Sequence, residues 1–281
     1  MLGIPILIGN CMNVDSHQRC ASHRAVFIRP ALCLLAVTLI GLTCCDAQAA
    51  DESGKKTLDG YLGAGAISLP KYIGSADQVT RAVPLAMIEY KETIYIQLDR
   101  VGVRLWNTDD KKIAFGIAAQ PRFGFHANDG ARLSGMSTRR DSIEGGAVLE
   151  WELPQVSFNV AYFTDWSATS KGQSLHFSMA RQLVDKGPWD LNAYISLDYA
   201  DAKVVQYYFG VRADESTSTR PSYQPGATVI SSLGFSGAYK LDKNYALLFG
   251  SEFTTLGAAA DSPIVQRRTG LMGYLGLGLV F

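Results

Sequence analysis

The side chains that could carry out chemistry are few, and one pair stands at a useful spacing. His176 and Ser178 are two positions apart, so on a β-strand their side chains would project to the same face. Such a pair could act as base and nucleophile if a carboxylate oriented the imidazole and an oxyanion donor stood nearby. Proximity on one strand falls far short of that geometry. We therefore predict a polar pair rather than a catalytic site.

Metal and cofactor chemistry has as little support. All five cysteines lie in the first 45 residues, and His126 and His176 are the only histidines after residue 49. A structural zinc site would require four nitrogen or sulfur ligands. Gly63 and Gly65 are not followed by the helix that a dinucleotide-binding loop requires, and such small residues favour close packing of strands. The sequence predicts no metal and no cofactor.

The composition excludes several classes of protein. The 281 residues carry 26 basic and 26 acidic side chains, and 47% of the residues are hydrophobic. A disordered chain would be less hydrophobic and would carry a larger net charge. A nucleic-acid partner would require a run or stripe of Lys and Arg to meet the phosphates, which is not present.

The N-terminal region resembles an export signal. Three arginines, Arg19, Arg24 and Arg29, precede the apolar run 31–42, and Ala47-Gln48-Ala49 follows as a cleavage site. The apolar run is too short for a membrane anchor, which needs about 20 residues. We predict a Sec signal peptide over 1–49, with lipoprotein processing at Cys44 or Cys45 as the alternative. Residues 1–11 would precede the true start, with Met12 as initiator, and 50–57 would form a short periplasmic segment.

Apolar and small or polar residues alternate throughout the rest of the chain, which is typical of β-strands, and no window shows convincing helical periodicity. In the stretch 270–281, for example, Leu275, Leu277, Leu279 and Phe281 oppose Tyr274, Gly276, Gly278 and Val280. Each strand is about ten residues long, the length that a tilted strand needs to cross a bilayer. The predicted strands lie near 58–68, 81–90, 93–98, 100–106, 113–125, 143–153, 156–165, 173–184, 189–200, 228–241, 245–257 and 270–281.

Short and long connections alternate between these strands. The longer ones lie around 69–80, 126–141, 165–172, 201–227 and 258–269. Tight periplasmic turns and longer outer loops are typical of an outer-membrane barrel, and an even strand number returns both termini to the periplasm. We therefore predict a transmembrane antiparallel β-barrel of twelve strands over 58–281. Ten strands are the alternative, because the stretch 93–106 must turn a very short hairpin at Asp99-Arg100.

A soluble periplasmic sandwich or lipocalin-like barrel would show the same alternation. A soluble barrel would, however, carry charged side chains on its outer face, whereas here most charges lie in the connections between strands. Large apolar faces would aggregate in water and suit lipid. Aromatic residues near the strand ends fit interfacial girdles. They are Tyr90, Trp106, Trp151, Tyr162, Trp166, Trp189, Tyr199 and Tyr239.

The lumen of this barrel should be polar and nearly neutral. The charges predicted to face inward are Asp99, Arg104, Arg122, Glu150, Glu152, Asp198 and Lys240. Their near balance favours mutual pairing within a filled barrel over an ion filter of one sign. The long segment 201–227 could fold inward as a plug or remain an ordinary exposed loop, and the sequence leaves both open.

Several motifs, in a fixed order, resemble one known family. They are Gly63-Ala64-Gly65, Pro70-Lys71-Tyr72-Ile73-Gly74-Ser75, Val83-Pro84, Tyr207-Tyr208-Phe209-Gly210-Val211, Pro221-Ser222-Tyr223-Gln224-Pro225-Gly226-Ala227 and Ala260-Asp261-Ser262-Pro263-Ile264-Val265. Together they resemble the MipA/OmpV family of outer-membrane proteins over 58–281. Phe209 is an extra residue where many members have Tyr-Tyr-Gly-Val.

The resemblance implies a scaffold in the outer membrane rather than an enzyme. The name-giving member links a murein lytic transglycosylase to a bifunctional penicillin-binding protein, and other members are described as adhesins or surface proteins. The family offers no catalytic residues to carry over. We expect a non-enzymatic scaffold for cell-wall remodelling, with a small-solute pore or a surface binding protein as the alternative. Its oligomeric state is left open.

Overall fold

The computed structural model describes residues 57–281. The predicted signal peptide, and the segment 50–57 apart from Thr57, lie outside the described residues. Within residues 57–281, no helix is both long enough and apolar enough to cross a membrane.

Twelve antiparallel strands form a closed barrel, in which each strand pairs with its neighbours in sequence and the first pairs with the last. They are β1 (Leu58–Pro70), β2 (Gln78–Tyr90), β3 (Ile94–Gln97), β4 (Arg100–Asn107), β5 (Ile113–Arg122), β6 (Ser142–Glu152), β7 (Val156–Asp165), β8 (Gln173–Lys186), β9 (Trp189–Ala200), β10 (Thr228–Lys240), β11 (Tyr245–Thr255) and β12 (Thr269–Val280). The prediction of twelve strands rather than ten is confirmed.

The alternation of residue types fixes which side of each strand faces lipid. On β12, Leu277 is 48% exposed on the outside, whereas Tyr274 is 7% exposed and faces the lumen. Because side chains alternate across a strand, the same division runs along the other strands. The outer wall is therefore a belt of leucine, isoleucine, valine and aromatic side chains, which identifies a membrane-spanning barrel.

The connections sort to the two ends as predicted. Short turns lie at 91–93, 108–112, 153–155, 187–188 and 241–244, at the end where both Leu58 and Phe281 also lie. We call this the short-turn end. The opposite, long-loop end carries the connections 71–77, 123–141, 166–172, 201–227 and 256–268.

Four of the long loops pack together over the lumen and form a cap with its own apolar core. The cap comprises 71–77, 123–141, 201–227 and 256–268, and its core includes Leu133, Val204, Phe209 and Ile264, all buried. The segment 201–227 is therefore folded into this cap. Phe209, the extra residue of the family motif, is one of its most buried side chains.

The prediction of no helix was wrong at one place. Helix α1 (Ala202–Phe209) follows β9, and the Asp201 side chain caps it by accepting a hydrogen bond of 2.9 Å from the Val204 backbone N–H. Its buried residues, Val204, Val205, Tyr208 and Phe209, recur at helical spacing. Eight residues are too few for that period to stand out in a window of about 11–18 residues.

The fifth strand is shorter than predicted. β5 ends at Arg122, whereas the sequence predicted a strand that continues to residue 125. Phe125 instead exchanges backbone hydrogen bonds of 2.9 Å with Arg139 and is buried in the cap core. The apolar cap, rather than lipid, accommodates its ring.

The very short hairpin predicted within 93–106 is present, but its turn lies one residue earlier than the predicted Asp99-Arg100, because Arg100 already pairs with Gln97 as the first residue of β4. β3 has four residues and β4 has eight, and the chain turns between them at Leu98 and Asp99. Leu98 adopts a φ of 47°, in the left-handed region that tight turns use. This hairpin is the shortest part of the barrel wall.

Candidate functional site

A polar cavity of about 530 Å³ lies inside the barrel beneath the cap. Its walls come from most of the strands, and its lining includes Asp99, Arg100, His176, Tyr194, Asp198 and Glu252. Three of these residues, Arg100, Tyr194 and Glu252, were not among those predicted to face the lumen, and Arg100 was predicted only as part of the hairpin turn. The alternation of side chains along the strands could have predicted two of them as inward-facing, since Glu252 shares a face with Thr254 and Tyr194 shares a face with Asp198.

His176 is held by a carboxylate across the β8–β9 ladder. Its Nδ1 atom lies 2.6 Å from Oδ1 of Asp198, which pairs with it in the register of the two strands. Ser178 lines the same cavity, as predicted for two inward-facing residues. Of the residues that the structure describes, only Asp198 forms a side-chain hydrogen bond with the His176 ring, so the serine is not joined to it. The arrangement orients an imidazole without activating a nucleophile.

A second polar group spans the inner face of β10, from β9 to β11. The Tyr194 hydroxyl donates to Oε2 of Glu252 at 2.9 Å, and the Thr254 hydroxyl donates to Oε1 at 3.0 Å. The intervening strand β10 carries Gly234 at this point, and a Cβ there would collide with the Tyr194 ring. The missing side chain on β10 lets the tyrosine lie flat against the wall and reach the carboxylate.

Three of the seven charges predicted to face the lumen form ion pairs with an oppositely charged side chain: Arg104, Glu150 and Arg122. Arg104 bonds Glu150 at 2.5 Å and Glu89 at 2.7 Å near the short-turn end. Arg122, higher in the lumen, forms a bidentate pair with Glu144 at 2.5 and 2.7 Å. Such pairs lower the cost of removing both charges from water.

In the described barrel, the other four charges predicted to face the lumen do not pair with one another or with a predicted arginine. Asp99 and Glu152 line the cavity, and Asp198 is bonded to His176 rather than to a cation of the predicted set. Lys240, at the last position of β10, is exposed.

The cap is closed by a buried ion pair. Arg139 donates to both carboxylate oxygens of Glu215, at 2.8 and 2.6 Å, and to the carbonyl oxygen of Tyr207 at 2.7 Å. The two side chains are 1% and 2% exposed. Arg220 adds hydrogen bonds from its guanidinium to the backbone carbonyl of Arg132 at 2.6 Å and of Glu215 at 2.7 Å. Arginine side chains thus tie the loop segments 123–141 and 201–227 together.

Hydrogen bonding determines the charge state of Glu215. Burial would raise its pKa, but hydrogen bonds from Arg139 and from the backbone N–H groups of Arg212 and Ser137 outweigh burial and lower the pKa to about 2. Glu215 is therefore ionised at neutral pH, and the pair is charged on both sides.

At the short-turn end the barrel presents a charged recess of about 250 Å³. It is lined by Glu89, Glu92, Arg104, Asn107, Lys111, Lys112, Ala114, Glu150 and Glu152. The recess carries both signs of charge and lies beside the turn 108–112. Across residues 57–281, no group of three or more His, Cys, Asp or Glu side chains is placed to hold a metal ion.

Two curated proteins show sequence similarity to part of the chain. It is 27% identical over 135 residues to outer membrane protein Omp26La of Vibrio anguillarum, and 26% identical over 135 residues to outer membrane protein OmpV of Vibrio cholerae. Each similarity covers 48% of this chain and 52% of the relative. The chain thus spans about half the length of the curated relatives it matches.

Similar solved structures are membrane barrels at low overall similarity. The outer membrane phospholipase A of Escherichia coli gives a TM-score of 0.32 at 9% identity, covering 78% of this chain and 92% of that one. A porin gives 0.28 at 10% identity, covering 80% of this chain and 100% of the porin. Similarity at this level carries no argument about function, and the fold rests on the strand ladders described above.

The family comparison extends over nearly the whole barrel. The model of the family described as MltA-interacting protein MipA matches residues 62–281, which takes in every strand except the first four residues of β1. That match includes the cap, the lumen pairs and the charged recess. The chain belongs to the MipA family of MltA-interacting proteins.

Proposed function

We propose that this protein is a non-enzymatic barrel of the outer membrane that serves as a scaffold in cell-wall remodelling. It would hold a murein lytic transglycosylase and a bifunctional penicillin-binding protein at the inner surface of that membrane. The family description, MltA-interacting protein, supports the transglycosylase as one partner. The names of the two relatives, both outer membrane proteins, support the location.

The observation that carries the proposal is the difference between the two ends of the barrel. The long-loop end is sealed by a packed cap with an apolar core and a buried ion pair. The short-turn end presents the charged recess beside the turn 108–112. Short turns of bacterial barrels face the periplasm, where murein lies. A sealed outer end and a charged inner end suit a protein that binds partners from the periplasmic side.

The lumen gives little support to an enzyme. Catalysis by a serine and histidine pair requires the nucleophile to be bonded to the base and a donor site for the developing oxyanion. His176 is bonded to Asp198, but its ring is not joined to Ser178. The polar cavity instead favours a second candidate function, the binding of a small solute that enters from the short-turn end, since about 530 Å³ is within the usual size of ligand pockets.

Affinity purification of the tagged barrel in mild detergent tests the scaffold. Reversing the charges of the exposed turn with Lys111→Glu and Lys112→Glu should reduce recovery of the transglycosylase and the penicillin-binding protein. The matched control is Arg267→Glu with Arg268→Glu, which reverses two exposed charges at the long-loop end and should leave recovery unchanged. A wild-type barrel that carries no murein enzyme, in a preparation that retains other membrane complexes, would contradict the scaffold.

A further inference from the structure

The wall of the barrel is incomplete above the β3–β4 hairpin. The last pair between β2 and β3 joins Met87 to Gln97, yet β2 continues for nine more residues to Gln78. On the other side, the last pair between β4 and β5 joins Val101 to Ala119, and the residues 120–122 of β5 pair with β6 alone. Along residues 57–281, no ladder joins β2 directly to β5. The long-loop half of the wall therefore has an opening between these two strands.

The dimensions of this opening suit a slender ligand. Two strands separate β2 from β5 at the height of the hairpin, so the two edges stand about 14 Å apart there, at about 4.8 Å per strand spacing. The opening has a closed upper border, because the rings of Tyr72 and Phe125 meet with their centroids 6.2 Å apart. Its lower border is the turn at Leu98 and Asp99, both of which line the lumen cavity. The opening thus leads from the outer wall into the cavity.

Exposure along β2 confirms that the wall is open here. Inward and outward side chains of a strand usually differ in exposure, and nearer the hairpin on β2 the inward Val83 is buried while the outward Pro84 is exposed. Thr80, Arg81 and Ala82 are three successive residues, and all are exposed. Arg81 projects to the inward face, opposite to its neighbours Thr80 and Ala82, and is nevertheless exposed.

A proline on each border prevents the opening from being closed by another strand. The Ala86 carbonyl accepts a hydrogen bond of 2.8 Å from the Leu98 N–H, so the backbone polar groups of Ala86 point toward β3. Because the backbone groups of every second residue point to the same side of a strand, those of Pro84 point toward the opening. On β5, the Ile113 carbonyl accepts from Thr108 N–H at 2.9 Å, and the same alternation turns Pro121 toward the opening. Neither proline has an N–H group to offer, which is how natural edge strands resist pairing. A ligand without a peptide backbone fits these edges better than an added strand.

The chemistry of the borders favours an anionic amphiphile. The outward faces beside the opening are small, with Ala82 and Pro84 on β2 and Ala119 on β5, which leaves a shallow groove in an otherwise bulky apolar belt. Arg81 forms no ion pair with any described residue. On β5, the buried Arg122 binds Glu144 through Nε and Nη2, while its Nη1 atom has no hydrogen-bond partner in the described part of the chain. The exposed Arg81 thus has donors available for an anion, whereas the free N–H group of Arg122 is buried.

We propose that this opening is a lateral lipid site: a phosphate-bearing lipid of the surrounding leaflet inserts one acyl chain between β2 and β5 into the lumen. Its phosphate would meet Arg81. The chain would enter beside the buried side chains of Val83 and Leu85 and reach the cavity at Met87 and Leu98. Neither the transglycosylase nor the penicillin-binding protein is needed for this binding, so the site stands apart from the scaffold role.

Photo-crosslinking of the full mature barrel tests this site. The barrel is reconstituted in phosphatidylcholine nanodiscs that contain a phosphatidylglycerol with a diazirine at the end of one acyl chain, and adducts are mapped by mass spectrometry. We expect adducts on the lumen-facing residues Met87, Gln97 and Gln120, besides those on the outer belt. Adducts confined to the outer belt would overturn the proposal, whatever the behaviour of any variant.

Variants locate the entry route. Ala82→Trp with Ala119→Trp, which fills both sides of the groove, should lower the lumen adducts about tenfold. Leu277→Trp, on the outward face of β12, is the matched control and should leave them unchanged. Arg81→Gln should lower the yield from phosphatidylglycerol, and Arg267→Gln should not. Lumen adducts that persist in the double tryptophan variant, in protein whose gel mobility shifts on heating as the folded wild type does, would also overturn the proposal.

Discussion

Arg139 and Glu215 show how much one pair of side chains contributes to closing this barrel. They come from two different loops, and both side chains are almost fully removed from solvent. Every carboxylate oxygen of Glu215 has a donor, since the backbone N–H groups of Ser137 and Arg212 complete the set at 3.0 and 3.1 Å. A buried charge is tolerated when its hydrogen-bonding capacity is satisfied in this way. The closure of the cap therefore depends on complete pairing rather than on apolar packing alone.

Removing one member of this pair should open the cap. We expect Arg139→Ala to destabilise the cap by about 3–5 kcal/mol, because Glu215 would be left as a buried charge without its cation. Limited proteolysis of the segment 201–227 at neutral pH measures this directly. The control is Arg268→Ala, whose partner Asp261 and own side chain are 59% and 73% exposed, and which should change stability by about 0–1 kcal/mol. Equal protease resistance of the two variants would contradict the role of the buried pair.

The lowered pKa of Glu215 predicts a dependence on pH. Its pKa is lower in the folded cap, about 2, than the usual 4.5, so the unfolded cap binds the proton more readily. The stabilisation is therefore fully present above about pH 4.5 and is lost as the pH falls toward 2. Hydrogen exchange at the amides of α1, corrected for the intrinsic rate at each pH, should show protection that declines in that range. Glu215→Gln should abolish this part of the pH dependence.

At the scale of strands, several aromatic rings lie over glycines on a neighbouring strand. Tyr194 lies over Gly234, Tyr95 over Gly102 and Tyr274 over Gly250. Each ring occupies the space that the Cβ of the facing residue would take. The glycines thus let bulky inward side chains fit flat against the wall, which leaves room in the lumen for the cavity and the polar pairs.

A methyl group at one of these glycines should displace the ring above it. We expect Gly234→Ala to destabilise the barrel by about 1–3 kcal/mol, the usual cost of overpacking, because Tyr194 must move and loses its hydrogen bond to Glu252. Urea unfolding in detergent measures the difference. Gly226→Ala is the matched control, since a Cβ there meets no atom within 4 Å. A Gly234→Ala barrel as stable as the wild type would show that the ring is free to move.

The elements that the sequence predicted well are those with a long and regular pattern. Alternation over ten or more residues located β8, β9 and β12, because one face meets lipid and the other meets the lumen. Helix α1 was missed because two turns give too few repeats, and because tertiary packing in the cap, not its own periodicity, holds it in place. The Arg122–Glu144 and His176–Asp198 pairs depend on strand register, which a single sequence does not state. The sequence predicted that Arg122 and Asp198 face the lumen. It did not predict that Arg122 pairs with Glu144 or that Asp198 pairs with His176.

At the scale of the whole molecule, the barrel has one sealed end and one charged end. The cap blocks a straight path through the lumen, and the apolar cluster of β1, β2, β10, β11 and β12 fills part of the space beneath it. This arrangement favours a closed barrel over a general pore. The charged recess lies at the short-turn end, together with the start of β1 and the end of β12.

A capped barrel should conduct poorly. We expect the wild-type protein to give little or no current in planar bilayers, and expect trimming of the segment 201–227 to raise the current by opening the lumen. A deletion within 166–172, the one long loop that does not join the cap core, is the control and should leave the barrel closed. Steady conductance of the intact barrel would favour a pore instead.

Site-specific crosslinking in living cells tests the scaffold most directly. Residues 57–281 contain no cysteine, so a single introduced cysteine carries one photoreactive group at a chosen place. With Lys112→Cys at the short-turn end, we expect an adduct with a lytic transglycosylase or a penicillin-binding protein. With Arg267→Cys at the long-loop end, we expect no such adduct. Murein enzymes captured from neither position, or only from the long-loop end, would contradict the scaffold.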